Sequence, residues 1–190
     1  KNGAQSWVAP PSVPASDTPY ASLRLAFTYV MTIPGVPLIY YGDEFGLPGA
    51  GDPDNRRMMR FGDELEVYEQ ATLAFMQKLG KLRAATPALR TGDWGMPLWA
   101  EADVLVYPRT LGEQVALVAL NRGGGDKALS VSVSSLGVTD GTVFTDGLAE
   151  SSPASATSAN RLVNCHCEFA DRLLNSVSSP LSLKVSSRSY

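Results

Sequence analysis

Leu23, Ala26, Phe27 and Val30 recur at helical spacing behind Ser16 and Asp17, either of which can cap a helix N-terminus, with Pro19 tolerated in the first turn. Leu25, Tyr29 and Met31 lie off that stripe, so the pattern predicts a helix over residues 18–32 that is buried on most faces and ended by Pro34 and Gly35. Residues 36–41 (VPLIYY) then form a short continuous apolar run between Gly35 and Gly42, the pattern of a strand buried on both faces. Pro37 sits at its beginning, where a missing donor is tolerated. The stretch GDEFGLPGAGDPDNRR, residues 42–57, gathers four glycines, two prolines and six charged residues into one long loop. Loops of this length inside a compact domain are usually functional.

Tyr68, Thr72, Phe75, Leu79 and Leu82 restore helical periodicity and predict an amphipathic helix over residues 63–85. Asp63 is its expected cap, with Glu64, Glu66 and Glu69 near the positive end of the dipole and Lys78, Lys81 and Arg83 near the negative end. Thr86 and Pro87 stop it, and Gly92, Gly95 and Pro97 mark a boundary. Beyond Met96 the period changes to two. Val104 and Val106, then Val115, Leu117 and Ala119, then Leu129, Val131 and Val133 alternate with other residues, separated by turn chemistry such as RGGGD (122–126) and TDG (139–141). Residues 151–160 are small and polar and read as a loop, and after Pro180 a last alternating stretch, Leu181, Leu183 and Val185, reads as the final strand. Short strands at this spacing indicate an antiparallel sandwich.

The resulting fold class is α/β plus all-β. A strand buried on both faces needs neighbours for its backbone groups and for both its sides, so residues 1–91 read as the end of a (β/α)8 TIM barrel and residues 92–190 as an antiparallel β-sandwich. Composition changes this picture little. Of 190 residues, 44% are apolar and 18% charged, which excludes a disordered or collagenous chain. Sixteen basic against nineteen acidic groups, spread evenly over both halves, give no footprint for nucleic acid. The longest apolar stretch, residues 25–41, is interrupted by Thr28, Thr32, Pro34, Gly35 and Pro37 and is no membrane span. The chain opens at Lys1 with neither an initiator Met nor a signal-peptide pattern, which points to a fragment or a processed product.

The string TIPGVPLIYYGDEFGLPGAGDPDNRRMMRF, residues 32–61, resembles the last barrel strand and following loop of the α-amylase family, glycoside hydrolase family 13. Its flanks resemble the same family: the helix before that strand, the closing barrel helix, and the C-terminal β-sandwich. The resemblance implies a hydrolase, or a close transferase, that acts on α-glucosidic bonds with retention through a carboxylate nucleophile, an acid donor and a third supporting carboxylate. In such a mechanism two carboxyl groups flank the bond about 5 Å apart. The family carries these groups on its fourth, fifth and seventh strands, all upstream of Lys1, so no catalytic residue is expected in this chain. The family's Asn-His-Asp signature is missing, and the single histidine, His166, falls in the sandwich.

The resemblance carries a substrate-binding role onto Asp52 and Arg56, as the Asp and Arg that hold a glucose unit on the non-reducing side of the cleavage point. A carboxylate and a guanidinium four residues apart on a tight loop can hold each other while exchanging hydrogen bonds with sugar hydroxyls. A structural ion pair, or two solvated loop charges, is the plainer reading of the same residues. Asp43 and Glu44, directly after the strand, point in different directions and make no facing catalytic pair; Glu44 is expected to bond loop backbone. A calcium site from Asp43, Asp52 and Asp54 lacks EF-hand spacing, and calcium is left open only for the full-length enzyme, with no cofactor expected here. Cys165, His166 and Cys167 could share a metal, yet the chain has no other Cys or His to complete a tetrahedral site, and a packed pair of small side chains is the simpler reading. Tyr40, Tyr41, Trp94 and Trp99 could stack on sugar rings or pack as ordinary interface residues. The implied partners are an α-glucan or maltooligosaccharide and the missing N-terminal part of the barrel, with no nucleic acid and no membrane. A non-catalytic carbohydrate-binding or accessory protein of the same fold is the alternative, decided by whether upstream sequence supplies the three carboxylates.

Overall fold

The computed structural model describes residues 8–138, 142 and 144–148, and the backbone of two further strands. Three helices come first: α1 (Asp17–Thr32), α2 (Val67–Ala85) and α3 (Pro87–Thr91). The strands follow as β1 (Asp93–Trp94), β2 (Trp99–Ala100), β3 (Val104–Leu111), β4 (Gln114–Asn121), β5 (Lys127–Val131), β6 (Thr145–Asp146), β7 (Cys167–Ala170) and β8 (Leu181–Val185). Every pairing is antiparallel. The larger sheet runs β1-β3-β4-β7-β6 with β2 also on β3, and β5 pairs with β8 in a second sheet.

The β3–β4 hairpin is the centre of the molecule because both its faces are covered. Val104, Val106, Val115, Leu117 and Ala119 point to one side, where they meet Leu129, Val131, Val133 and Phe144. Those eight alternating aliphatic residues singled out in the sequence form one core with Phe144. Tyr107, Ala116, Val118 and Leu120 point to the other side and pack on Phe27, Met31, Phe75, Met76, Leu79 and Leu89 of the helices. The strands QVALVALN and VLVYPRTL are apolar at nearly every position for this reason.

The helices depart from the expected stripes in an informative way. In α1 the buried face is Tyr20, Arg24, Phe27, Thr28, Met31 and Thr32, so it is one face and not most faces, and Tyr29 stays 39% exposed. Most of its polar groups are bonded locally or across the interface, while Tyr20 Oη and Arg24 Nε are buried with no hydrogen-bond partner among the described residues. Thr28 Oγ1 donates to the Arg24 carbonyl at 2.9 Å, and Thr32 Oγ1 meets Tyr107 Oη at 2.6 Å. Arg24, 1% exposed, bonds Asp17 at 2.8 and 3.0 Å and donates to Thr72 Oγ1 on α2 at 3.0 Å. The second helix starts at Val67 and not at Asp63, because a 3-10 turn over Gly62–Glu64 precedes it and Glu66 and Glu69 make the reciprocal capping box.

Two further arginines gather the helix ends, one from α2 and one from the sheet. Arg83 Nη1 donates to the carbonyls of Met31 at 2.6 Å and Leu89 at 2.8 Å, and Nη2 to Gly35 at 2.6 Å. Arg109, fully buried on β3, donates to Thr32, to Leu89 at 3.1 Å, to Gly92 at 2.7 Å and to Asp93 at 3.3 Å. All of these acceptors lie at or just past the C-terminal ends of α1 and α3, where carbonyls lack intrahelical partners and the dipole is negative. Burial lowers both guanidinium pKa values, Arg90 adding to the effect on Arg83, and Arg83 to that on Arg109.

Residues 36–41 do not form the expected buried strand. Residues 36–40 carry no regular secondary structure, Tyr41 begins the turn that follows, and Val36 and Leu38 are 95% and 91% exposed. A strand needs hydrogen-bonded neighbours on its edges, and none of the described strands offers one to this segment. The parallel barrel unit inferred from this run is accordingly not seen among the described residues. The loop expected at 151–160 lies outside them.

Arg109→Met should lower unfolding free energy by about 3 kcal/mol or more, since it leaves several buried carbonyls unpaired, whereas Arg122→Met, at a 70% exposed side chain, should stay within about 0.5 kcal/mol. Urea unfolding followed by circular dichroism measures both. Equal midpoints for the two variants would refute the role given to Arg109.

Candidate functional site

The loop at residues 42–57 is built from its first glycine. Gly42 has φ +89°, and its carbonyl accepts from the amides of Phe45 (3.3 Å), Gly46 (3.0 Å) and Leu47 (2.9 Å), folding residues 42–47 into a compact turn. A Cβ there would lie 2.7 Å from the Leu47 side chain, so both conformation and space call for glycine. Phe45, 1% exposed, is the turn's anchor, with the Arg60 guanidinium 5.7 Å from its ring centroid. Arg60 is in turn paired with the fully buried Glu69, whose hydrogen bond is the main reason the Arg60 pKa rises. Burial first, and the Glu69 charge second, push the neighbouring Tyr20 phenol up.

The second half of the loop carries two ion pairs with different surroundings. Asp54 accepts from Arg57 Nε and Nη2, both at 2.8 Å, and from the Ala50 amide at 2.9 Å, with its side chain 10% exposed. These bonds, Arg57 above all, hold the Asp54 carboxyl below the usual carboxylate range. Asp52 pairs with Arg56 across a 3-10 turn at Asp54–Arg56, and here the side chains are 67% and 59% exposed. The peptide Asp52–Pro53 is cis. Tyr41 Oη donates to the Arg57 carbonyl at 3.1 Å and so ties the loop back to residues 40–41, where the Tyr40 and Tyr41 rings lie 4.5 Å apart. Desolvation first, then Tyr40, raises the Tyr41 pKa, and Arg56 opposes the shift.

The structure therefore brings Asp52 and Arg56 together at the surface, beside two exposed tyrosines. A solvent-exposed ion pair contributes only about 0–1 kcal/mol to folding, so stability gives little reason for this one. The shielded Asp54–Arg57 pair beneath is the better candidate for holding the loop's shape. It was missed in the sequence, although its i,i+3 spacing in DPDNRR is legible there. Asp43 Oδ2 accepts from the Tyr40 amide at 3.2 Å and faces solvent. The Glu44 expectation is not met: its Oε2 is buried with no hydrogen-bond partner among the described residues, because the turn's amides are already spent on the Gly42 carbonyl. Asp43, Asp52 and Asp54 do not gather, and no group of three metal-ligating side chains occurs among the described residues. Cys165, His166 and the Cys167 side chain lie outside them; Cys167 contributes backbone to β7, opposite Val118.

No family model matches the chain. Among curated proteins it is 43% identical over 99 residues to a cyclomaltodextrin glucanotransferase of Geobacillus stearothermophilus, covering 52% of this chain and 13% of that protein. It is 36% identical over 146 residues to an amylopullulanase of Thermoanaerobacter thermohydrosulfuricus, covering 71% of this chain and 9% of that protein. The chain thus spans only a small part of the relatives it matches. Among solved structures, an α-amylase of Geobacillus thermoleovorans complexed with acarbose superposes with a TM-score of 0.62 at 28% identity, covering 70% of this chain and 28% of the other.

The Asp54 shift has a signed consequence. A carboxyl lowered in the folded state contributes stability that is complete above the ordinary carboxylate pKa and disappears as pH falls through the lowered value. The loop tether should survive acidification through the ordinary range near 3.9 and release below it. A carbon-detected titration of the Asp54 carboxyl reads this directly; a midpoint at or above the ordinary value would contradict the bonding described.

Proposed function

Because the chain is a partial C-terminal region of the α-amylase family, glycoside hydrolase family 13, we propose that residues 1–91 complete the closing end of a (β/α)8 barrel and residues 92–190 form the sandwich appended to it. Residues 36–41 are the last barrel strand in this reading, and their exposed apolar side chains face the place of absent neighbours. The antiparallel sheets over β1–β8 and the covered β3–β4 hairpin support the sandwich half.

The whole protein acts on α-glucosidic bonds in starch or maltooligosaccharides with retention, and this part of it binds substrate without performing the bond cleavage. Asp52 and Arg56 hold a sugar unit. The observation that carries this is the exposed Asp52–Arg56 pair on a loop fixed from beneath by Asp54–Arg57. Such a pair presents an acceptor and a donor at fixed separation, already partly desolvated by each other, to hydroxyls that both donate and accept. Loops that follow barrel strands line the face where barrel active sites sit.

The 190-residue chain alone should not hydrolyse starch, because Asp43 and Glu44, the carboxylates directly after residues 36–41, are adjacent and do not make the facing pair that glycoside hydrolysis needs. Hydrolysis by the pure chain that persists in an Asp43→Asn, Glu44→Gln double variant would leave the reading without a mechanism. In an enzyme completed by the family's upstream strands, Asp52→Ala and Arg56→Ala should each reduce kcat/KM on a short maltooligosaccharide by roughly tenfold to a hundredfold, from the loss of charged hydrogen bonds. The double variant should lose less than the two combined, since each side chain orients the other. Unchanged kinetics with a lowered melting temperature would show the pair to be structural.

A further inference from the structure

The Asp52–Arg56 pair stands on the exposed part of a loop whose two ends meet at one buried contact. Phe45, near the start of the loop, is 1% exposed, and the Arg60 guanidinium, just past its end, lies 5.7 Å from the Phe45 ring centroid. Loops whose ends close on each other in this way are packed by their own side chains. Within the loop, Asp54 on Arg57 and Tyr41 on the Arg57 carbonyl fix the shape. These bonds leave its place on the helices unset. That place is decided at the base.

Arg60 links the base to α2. Its Nη1 donates to Glu69 Oε2 at 2.9 Å and to the Glu64 carbonyl at 3.1 Å, and its Nη2 donates to Glu69 Oε1. Glu69 Oε2 also accepts from the Glu66 amide at 2.8 Å, so the carboxylate that closes the cap of α2 is the one that grips Arg60. The start of the loop is pressed on α1 as well. A Cβ at Gly46 would come within 3.0 Å of the Tyr20 ring and 3.1 Å of Leu23, and the Tyr20 ring stacks on Tyr68 of α2 with centroids 6.0 Å apart. A path of contacts thus runs from α2 through Glu69, Arg60 and Phe45 to the turn that begins the loop.

Glu69 is fully buried and the Arg60 side chain is 25% exposed. A buried ion pair contributes little net stability, since desolvation of the charges offsets much of their attraction. A planar guanidinium held by two bonds to one carboxylate does, however, have a fixed orientation. Fixed orientation is what a sugar-binding pair on a loop requires, because a misplacement of about 1 Å in a positioned group can cost about a hundredfold in rate.

We propose that Arg60, oriented by Glu69, is a positioning residue: it sets the direction in which Asp52 and Arg56 face a sugar and touches no sugar itself. This rests on the sugar-binding role proposed above for that pair.

A double-variant cycle in an enzyme completed by the family's upstream strands tests it. Arg60→Met should lower kcat/KM on a short maltooligosaccharide about tenfold, but by less than about twofold in an Asp52→Ala, Arg56→Ala background, where nothing is left to position. Arg60→Lys keeps the charge and loses the second bond to Glu69, so it should fall between Arg60→Met and the parent. Glu69→Gln, on another element, should show the same dependence on background, and it carries the test if a thermal melt shows that Arg60→Met does not fold. An equal loss in both backgrounds, or unchanged kinetics whatever the melting temperature, would overturn the positioning role and leave the sugar-binding reading intact. An Asp52→Ala, Arg56→Ala enzyme as active as the parent would overturn that reading and the positioning role with it.

Discussion

Two buried guanidinium groups with no carboxylate ion pair among the described residues, Arg83 and Arg109, hold the end of α1, the end of α3 and the face of the sheet in one arrangement. Each replaces lost hydration with several backbone carbonyls at helix C-termini, and both share the Leu89 carbonyl. Removing a cation from water costs several kcal/mol, so these residues are tolerable only where the helix ends converge. The rest of the fold follows from that convergence. It sets where α1 stops, and therefore where the chain departs toward residues 36–57; it also seats Tyr107 against Thr32 and thereby fixes its ring contacts with Tyr29 and Trp94.

Much of the fold was legible as periodicity. The alternation at Val104, Val106, Val115, Leu117, Ala119, Leu129, Val131 and Val133 marked one core, because a strand sends every second side chain to the same face. The final strand at Leu181–Val185 was legible for the same reason. What periodicity could not show was the opposite face of β3 and β4, where the helices pack, nor the polar residues buried within it. In sequence Glu69 and Arg83 read only as charges suited to the ends of a helix dipole, and Arg24 and Arg109 drew no reading; only their buried partners explain them. A hint was present: Arg24 sits inside LRLAFTYVM and Arg109 inside a strand, where a lone charge among apolar neighbours needs a partner.

The candidate loop divides in a similar way. Its glycines, prolines and charges announced a long shaped loop, and the spacing of Asp52 and Arg56 announced their pairing. The division of labour between that exposed pair and the shielded Asp54–Arg57 pair depends on burial, which spacing alone does not encode. Residues 36–41 mark the limit of local reading. Their composition suits a strand buried on both faces, yet pairing is a property of neighbours, and among the described residues the run has none. An apolar segment left exposed in this way is a surface that another part of a protein is shaped to cover.

The account therefore turns on whether residues 36–41 become a paired strand when neighbours are supplied. Hydrogen exchange at the amides of Val36, Leu38, Ile39 and Tyr41 measures this, compared between the 190-residue chain and a longer chain that carries the family's upstream barrel strands. Rapid exchange in the first and strong protection in the second is the result the account predicts. Equally rapid exchange in both, with α1 and α2 protected throughout, would contradict it, because the segment would then be a surface loop and the barrel assignment would lose its strand.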